Sequence, residues 1–360
     1  MRFTIGGDVS VKEECADLFV EGKSGELFGS VIDVFKNSDR VFVNLECALT
    51  DSGDAIKKIG PPIKSPKETA KVLKDIGVTD CGLSNNHIFD YGKRGVLDTI
   101  AELDKYGINY TGFGMNELDS RNDLIITEDG LRIAVIAVCE HEYSYALENR
   151  MGSRPYDVYD TNDDIAAAKR NADYVIVIYH GGKEHSRYPS PRLVKACHSM
   201  VKHGADVVLC QHSHCIGCYE KFMGASILYG QGNFHFVWNE FAAKQNVQRS
   251  WNNGLLAVLD IDREGIKINF LPIVVSGSGI DLAKGDEARE ILGDFEERNR
   301  IFREGGWRAE WKKYCIDHAN GYSIVSEDQR ERMAHYLDCE AHHDVLVEIY
   351  KTYNHTNEID

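Results

Sequence analysis

His212 and His214 stand one residue apart directly after the short apolar run Val207–Cys210. A run this brief and this apolar reads as a buried strand. In an extended continuation alternate side chains face the same way, so both imidazoles are expected to meet at one point. Taken alone, two histidines in a surface turn account for the stretch equally well. The arrangement recurs elsewhere. Asp8 follows Arg2–Ile5 through Gly6-Gly7, Asn44 and Glu46 follow Val41–Val43, and Ser84-Asn85-Asn86-His87 ends Val78–Leu83 with Asp90 close behind. His180 ends Tyr174–Tyr179, with Glu184 and His185 just beyond. Five strand ends carrying Asp8, Glu46, Asn86/His87, His180 and His212/His214 make a shared site a better account than coincidence. Carboxylate, amide and imidazole donors suit Mn²⁺, Fe²⁺ or Zn²⁺ in a catalytic site with open positions. They outnumber what one ion takes, so two divalent ions, bridged by a carboxylate and holding a hydroxide between them, are expected.

Those residues need regularly placed strands to deliver them. Apolar runs alternate with helical stretches: one carrying Leu27, Val31, Val34 and Phe35, one around Lys67–Ile76, and one over Lys93–Tyr106. Ile165–Ala172 and Pro191–His203 continue the series. Leu131–Val138 reads as a further strand, paired with Asp123–Thr127 and ending in Cys139-Glu140-His141-Glu142. Gly254–Ile261 and Ile266–Val275 read as a hairpin. The alternation predicts a layered α/β architecture, in which ligands sit beyond the carboxyl ends of the strands. The loop Asp51–Pro66 and the irregular stretch Tyr143–Tyr159 are expected to lie over the site. Gly112-x-Gly114 lacks the third glycine of a dinucleotide fingerprint and is read as a turn. From about Lys284 the composition turns charged and helical, which predicts a domain over 1–284 and a helical C-terminal extension over 285–360.

The net charge of −16, from 57 acidic and 41 basic side chains, argues against a nucleic-acid partner, whose phosphates call for a basic surface. A phosphate-bearing substrate stays compatible, because bound cations reverse the local field. Cys81, Cys139 and Cys210 sit inside apolar runs, where a thiol packs as a small hydrophobe. The ten cysteines therefore predict a reducing, cytoplasmic location and no disulfide framework. Cys215-x-x-Cys218 beside two histidines resembles half a zinc knot, but the sequence holds no second such pair. No signal peptide is expected, and the longest apolar runs fall short of a membrane span.

Gly7-Asp8, Asn44-Leu45-Glu46, Asn85-Asn86-His87 with Asp90-Tyr91-Gly92, His180-Gly181-Gly182-x-Glu184, Gln211-His212-Ser213-His214 and Gly232-Asn233-Phe234 occur in that order. Together, over about residues 1–275, they resemble the CapA family of poly-γ-glutamate capsule synthesis proteins. The resemblance implies the calcineurin-like metallophosphoesterase fold, a two-sheet β-sandwich core flanked by helices. It also implies roles. Asp8 and His214 would bind a first ion, Asn86, His180 and His212 a second, and Glu46 both. His87 would be the general acid, oriented by Asp90, while the metals stabilise the developing charge. Asn44, Asn85, Glu184, His185 and Asn233 would contact substrate. Two positions depart from the wider phosphoesterase pattern: Ser10 stands where a histidine ligand is usual, and Glu46 where an aspartate bridges. The first change removes a ligand and the second lengthens the bridge.

The expected activity is hydrolysis of a phosphoester or an amide-type bond such as a γ-glutamyl link, in capsule or poly-γ-glutamate metabolism. The substrate would be a small molecule or a peptide or polyglutamate-like chain. Two other readings fit the same residues. One is a peptide-binding or epimerase-like peptide-modifying protein that uses them as acid and base without metal. The other is a non-catalytic accessory of capsule export.

Overall fold

The computed structural model describes residues 1–140, 142–322 and 330–354. His141 of the expected polar strand end, and the remainder of the 285–360 segment, lie outside the described residues.

Two sheets face one another. The larger runs through strands Gly279–Leu282, Gly265–Ser276, Asn253–Asp262, Arg2–Val9, Arg40–Leu45, Asp80–Gly82 and Asn109–Thr111, and Asn233–His235 also pairs with Arg2–Val9. The other runs through Tyr219–Phe222, Ala225–Leu228, Val207–Gln211, Tyr174–His180, Leu131–Cys139 and Leu124–Glu128. Within each sheet the strands that carry the site residues are parallel, so their carboxyl ends collect on one rim.

Alternation of side chains explains why these strands read as unbroken apolar runs. In Leu131–Cys139, Ile133, Val135 and Ala137 point between the sheets and meet Phe3, Ile5 and Phe42. Ala134, Ile136 and Val138 point outward, onto Ile165, Leu193 and Met200 of the helices Val158–Lys169 and Pro191–Lys202. A strand covered on both faces has no polar side. Each fully buried Val, Leu, Ile or Phe contributes about 1.5–3 kcal/mol, which fixes the rim on which the polar tips stand. The expected two-sheet α/β sandwich flanked by helices is what these residues build.

Local packing revises several expectations. The first strand does not stop at Gly6-Gly7; it runs to Val9, with a register irregularity between Ile5 and Asp8. A Cβ at Gly7 would come within 2.2 Å of the Gly232 carbonyl oxygen, so glycine there reflects close approach of two backbones. The single helix read through Leu27–Phe35 is two, Ser24–Phe28 and Val31–Lys36, broken at Gly29 with φ +45°. The helix expected from Ile165 already begins at Val158, because the Asp157 side chain accepts from the N–H groups of Tyr159 and Asp160. Most consequential, the chain after Gln211 is not extended. His212 (φ 82°) and His214 (φ 50°) adopt left-handed backbone, so strand alternation is not what orients their rings.

The helix Gly285–Arg303 packs onto the sandwich, with Ile291 and Phe295 joining the layer between the sheets. Trp307–Asp317, Arg330–Asp338 and Glu340–Asn354 follow, and Trp311, Cys315 and Val345 form a small core of their own. Among the described residues no helix is long and apolar enough to cross a membrane.

Candidate metal centre

Register brings the polar tips together. Asp8 lies opposite Asn44 and Asn233 on its neighbouring strands, and His180 lies opposite Gln211, the residue before His212. Asp8, Glu46 and His180 form one buried cluster; Glu46, His212 and His214 form a second. In each, the potential ligand atoms lie within 4.8 Å of one another, and Glu46 belongs to both. His180 Nε2 is 3.5 Å from Glu46 Oε1 and its Nδ1 is 3.7 Å from Asp8 Oδ1. His214 reaches Asp8 Oδ2 and Glu46 Oε1 at 3.9 Å each, and Asn86 Oδ1 is 2.8 Å from His180 Nε2. The clusters thus group Asp8 with His180 and His212 with His214, whereas the resemblance sorts Asp8 with His214 and His180 with His212. The side chains lean across both positions.

Glu46 tests whether these residues fit a cation. Its carboxylate is fully buried, and neither oxygen has a hydrogen-bond partner among the described residues. A buried carboxylate without donors is costly unless a cation satisfies it. Burial raises the pKa of Glu46, and burial together with the neighbouring Glu46 raises Asp8 to about 6. Burial pushes His180 down to about 4, which leaves a neutral imidazole able to coordinate. At His214 burial works the same way, but the carboxylates of Glu46 and Asp8 outweigh it and raise the pKa. Clustered buried carboxylates, imidazoles and an amide oxygen fit a divalent metal.

Three asparagines hold this cluster in place. Asn44 Nδ2 donates to Asp8 Oδ1 at 2.7 Å and lies 3.0 Å from His180 Nδ1. Asn85 Nδ2 donates to Asn44 Oδ1 and the Leu45 carbonyl, so Asn44 and Asn85 stand behind the candidate ligands. Asn233 Oδ1 is 2.8 Å from His214 Nδ1. Such outer partners orient metal-binding side chains. The His212 N–H donates to Asp8 Oδ2 at 2.9 Å, which ties the left-handed turn to the first strand. Ser10 is buried, its hydroxyl without a partner among the described residues. Cys215 and Cys218 are buried and belong to neither cluster.

The cluster opens into a cleft of about 510 Å³. On its floor, His87 Nδ1 is 2.6 Å from Asp90 Oδ2. Lys58 Nζ donates to Asp90 Oδ1 at 2.7 Å and to the Asn86 carbonyl at 2.9 Å. Burial and then Lys58 lower the His87 pKa against the pull of Asp90. Burial would raise Asp90, but His87 and Lys58 outweigh it and hold its carboxyl low. Lys58 escaped the sequence reading, because a lysine in a proline-bearing loop reads as solvated; the sole signal was the loop's expected place over the site. Glu184 and His185 line the cleft, Glu184 Oε1 lying 3.9 Å from His212 Nε2. His185 (φ 63°) is a third left-handed histidine here, and such strain gathers at functional sites. Tyr314, Tyr322, His335 and His342 of the C-terminal segment line the far side, a placement with no signal in the residue pattern.

Capsule biosynthesis protein CapA of Bacillus anthracis is 29% identical over 272 residues, 72% of this chain and 66% of that one. PGA biosynthesis protein CapA of Bacillus subtilis (strain 168) is 30% identical over 236 residues, covering 64% and 62%. The matched part spans slightly less than two thirds of either relative. Among solved structures, a hypothetical protein from Thermus thermophilus aligns over 76% of this chain and 98% of its own, at 16% identity and a TM-score of 0.47. Residues 2–237 match the family described as bacterial capsule synthesis protein PGA_cap, and the chain belongs to that family.

Proposed function

We propose that this protein is a metal-dependent hydrolase of capsule or poly-γ-glutamate metabolism, cutting a phosphoester or an amide-type bond such as a γ-glutamyl link. The buried Glu46 carboxylate carries the reading: it has no hydrogen-bond donor among the described residues and is shared by two clusters of potential ligands. Asp8, Glu46, Asn86, His180, His212 and His214 would hold one or two ions of Mn, Fe or Zn. Such ions, when bound, supply Lewis-acid polarisation of the bond to be cut. The other tasks fall to side chains. Asp90 accepts from His87 Nδ1 and fixes the ring, leaving Nε2 to carry a proton to the leaving group. The lowered His87 pKa makes that proton easy to give up. Lys58 keeps Asp90 ionised, and Trp238, Phe241 and Trp251 form an apolar side wall that limits water.

The test is elemental analysis of protein reconstituted with Mn²⁺ or Zn²⁺, followed by turnover of phosphoester and γ-glutamyl substrates. The expected result is about one or more ions per chain, and loss of turnover with metal retained in His87→Ala. A chain that stays metal-free, yet loses a peptide-modifying activity in the same variant, would move the assignment to metal-free acid–base chemistry. That second reading is favoured by Ser10, which takes the place of a ligand, and by the His180 ring, which already meets Asn44 and Asn86.

A further inference from the structure

We propose that the C-terminal helices form a substrate-reading wall, which grips an oxyanion of the substrate, a carboxylate or a phosphate, away from the bond that reacts. The proposal rests on the hydrolase reading in placing that bond beside Glu46. Half of the chain's 14 histidines line this one cleft. Glu184 is the one acidic residue among its described lining, in a chain of net charge −16. Beyond the candidate ligands and His87, the lining therefore offers imidazole, phenol and ammonium groups with few competing carboxylates.

These side chains adjoin one another. Lys58 Nζ lies 5.6 Å from the Tyr143 ring centroid, and that ring lies 5.5 Å from His335. His335 lies 5.0 Å from His342, whose Nδ1 is 2.8 Å from the Tyr322 hydroxyl. A band of ammonium, phenol and imidazole groups thus leads from the His87–Asp90 pair to the last helices. It crosses three separate stretches of chain, and its outer part lies beyond residue 237, where the family match ends. The wall is fixed in place: Tyr314 donates its hydroxyl to the Glu184 carbonyl at 2.8 Å, and Asp344 is bonded to Arg192 and Ser190. Imidazole and phenol groups set this way suit hydrogen bonds to an oxyanion, which are stronger than neutral ones.

Isothermal titration calorimetry on the full, Mn²⁺-loaded chain tests this with three probes: γ-linked hexaglutamate, its uncharged carboxamide counterpart, and glycerophosphate. His335→Ala and, separately, His342→Gln are expected to weaken an anionic probe about tenfold or more, the loss of one hydrogen bond to a charged group. The carboxamide probe and the metal content should not change. Weakening of hexaglutamate assigns a carboxylate to the wall; weakening of glycerophosphate assigns a phosphate. Parental affinity for both anions in both variants overturns the proposal, as does equal weakening of the carboxamide probe. So does failure of the parent to bind either anion more tightly than about 1 mM. Melting curves identify a misfolded variant, in which case the other decides. A parent that retains no metal refutes the hydrolase reading, while the same titrations still decide the wall.

Discussion

Arg192 donates from Nε to Asp344 Oδ2 at 2.9 Å, joining the start of the Pro191–Lys202 helix to the final helix Glu340–Asn354. The same guanidinium donates from Nη2 to Glu140 Oε2 at 2.7 Å. Glu140 is buried and also bonded by Tyr179 and the Gly182 N–H, on either side of His180. One cation therefore neutralises a carboxylate at the rim that carries the candidate ligands and another on the outer wall. Arg192→Ala should lower stability by about 3–5 kcal/mol, because it strands a buried charge. Limited proteolysis should then cut within 307–354 before the sandwich. Destabilisation below about 1 kcal/mol in urea unfolding would show that the pair is not a joint of this kind.

Glu46→Gln separates the two consequences of a buried carboxylate. Without metal, the neutral amide should stabilise the protein by about 1–3 kcal/mol, since a poorly solvated charge is removed. With Mn²⁺ the order should reverse, because the parent gains stability from a bound ion and the variant does not. Melting curves with and without chelator measure both. A parent whose melting temperature ignores Mn²⁺ would remove the reason for assigning Glu46 to a cation.

Lys58→Met should raise the His87 pKa, since Lys58 is one of the groups that lower it. The limb of the pH–rate profile governed by His87 should move to higher pH, with metal content unchanged. His87→Ala should cost about 10²–10⁴-fold in turnover, the usual worth of a general acid. An unmoved limb in Lys58→Met would mean another group supplies the proton.

His235 predicts an acid sensitivity outside the cleft. Its ring lies 5.0 Å from both Phe19 and Phe28, and neither nitrogen has a partner among the described residues. Burial pushes its pKa from 6.5 to about 4. A base whose folded pKa is depressed binds fewer protons folded than unfolded, so stability falls as pH drops through 6.5 toward 4. From this residue the loss between about pH 7 and about pH 5 is about 2 kcal/mol. His235→Leu should flatten that slope in urea unfolding at the two pH values; an unchanged slope would place the sensitivity elsewhere.

The strand tips were legible in the sequence because parallel strands buried on both faces leave apolar runs, such as Tyr174–Tyr179, that end abruptly in polar residues. His180, Glu46 and Asp8 stand out against such a background. The turn at His212 and His214 was not legible, since positive φ in histidines has no compositional signal and the bond that ties the His212 N–H to Asp8 joins residues 204 positions apart. Lys58 and the C-terminal wall were invisible for another reason. Lysines, tyrosines and histidines on loops and charged helices look like solvent-facing residues until tertiary packing turns them inward, as it does Lys58, whose side chain is 4% exposed.

The last strand of the sandwich ends at Leu282, and the lining contributed by the C-terminal helices begins at Tyr314. A chain made from its N-terminus therefore completes the segment that carries the candidate cluster, from Asp8 to His214, before the residues of the far wall are made. A chain cut short after residue 306 would keep every residue of the candidate cluster with one side of the cleft missing.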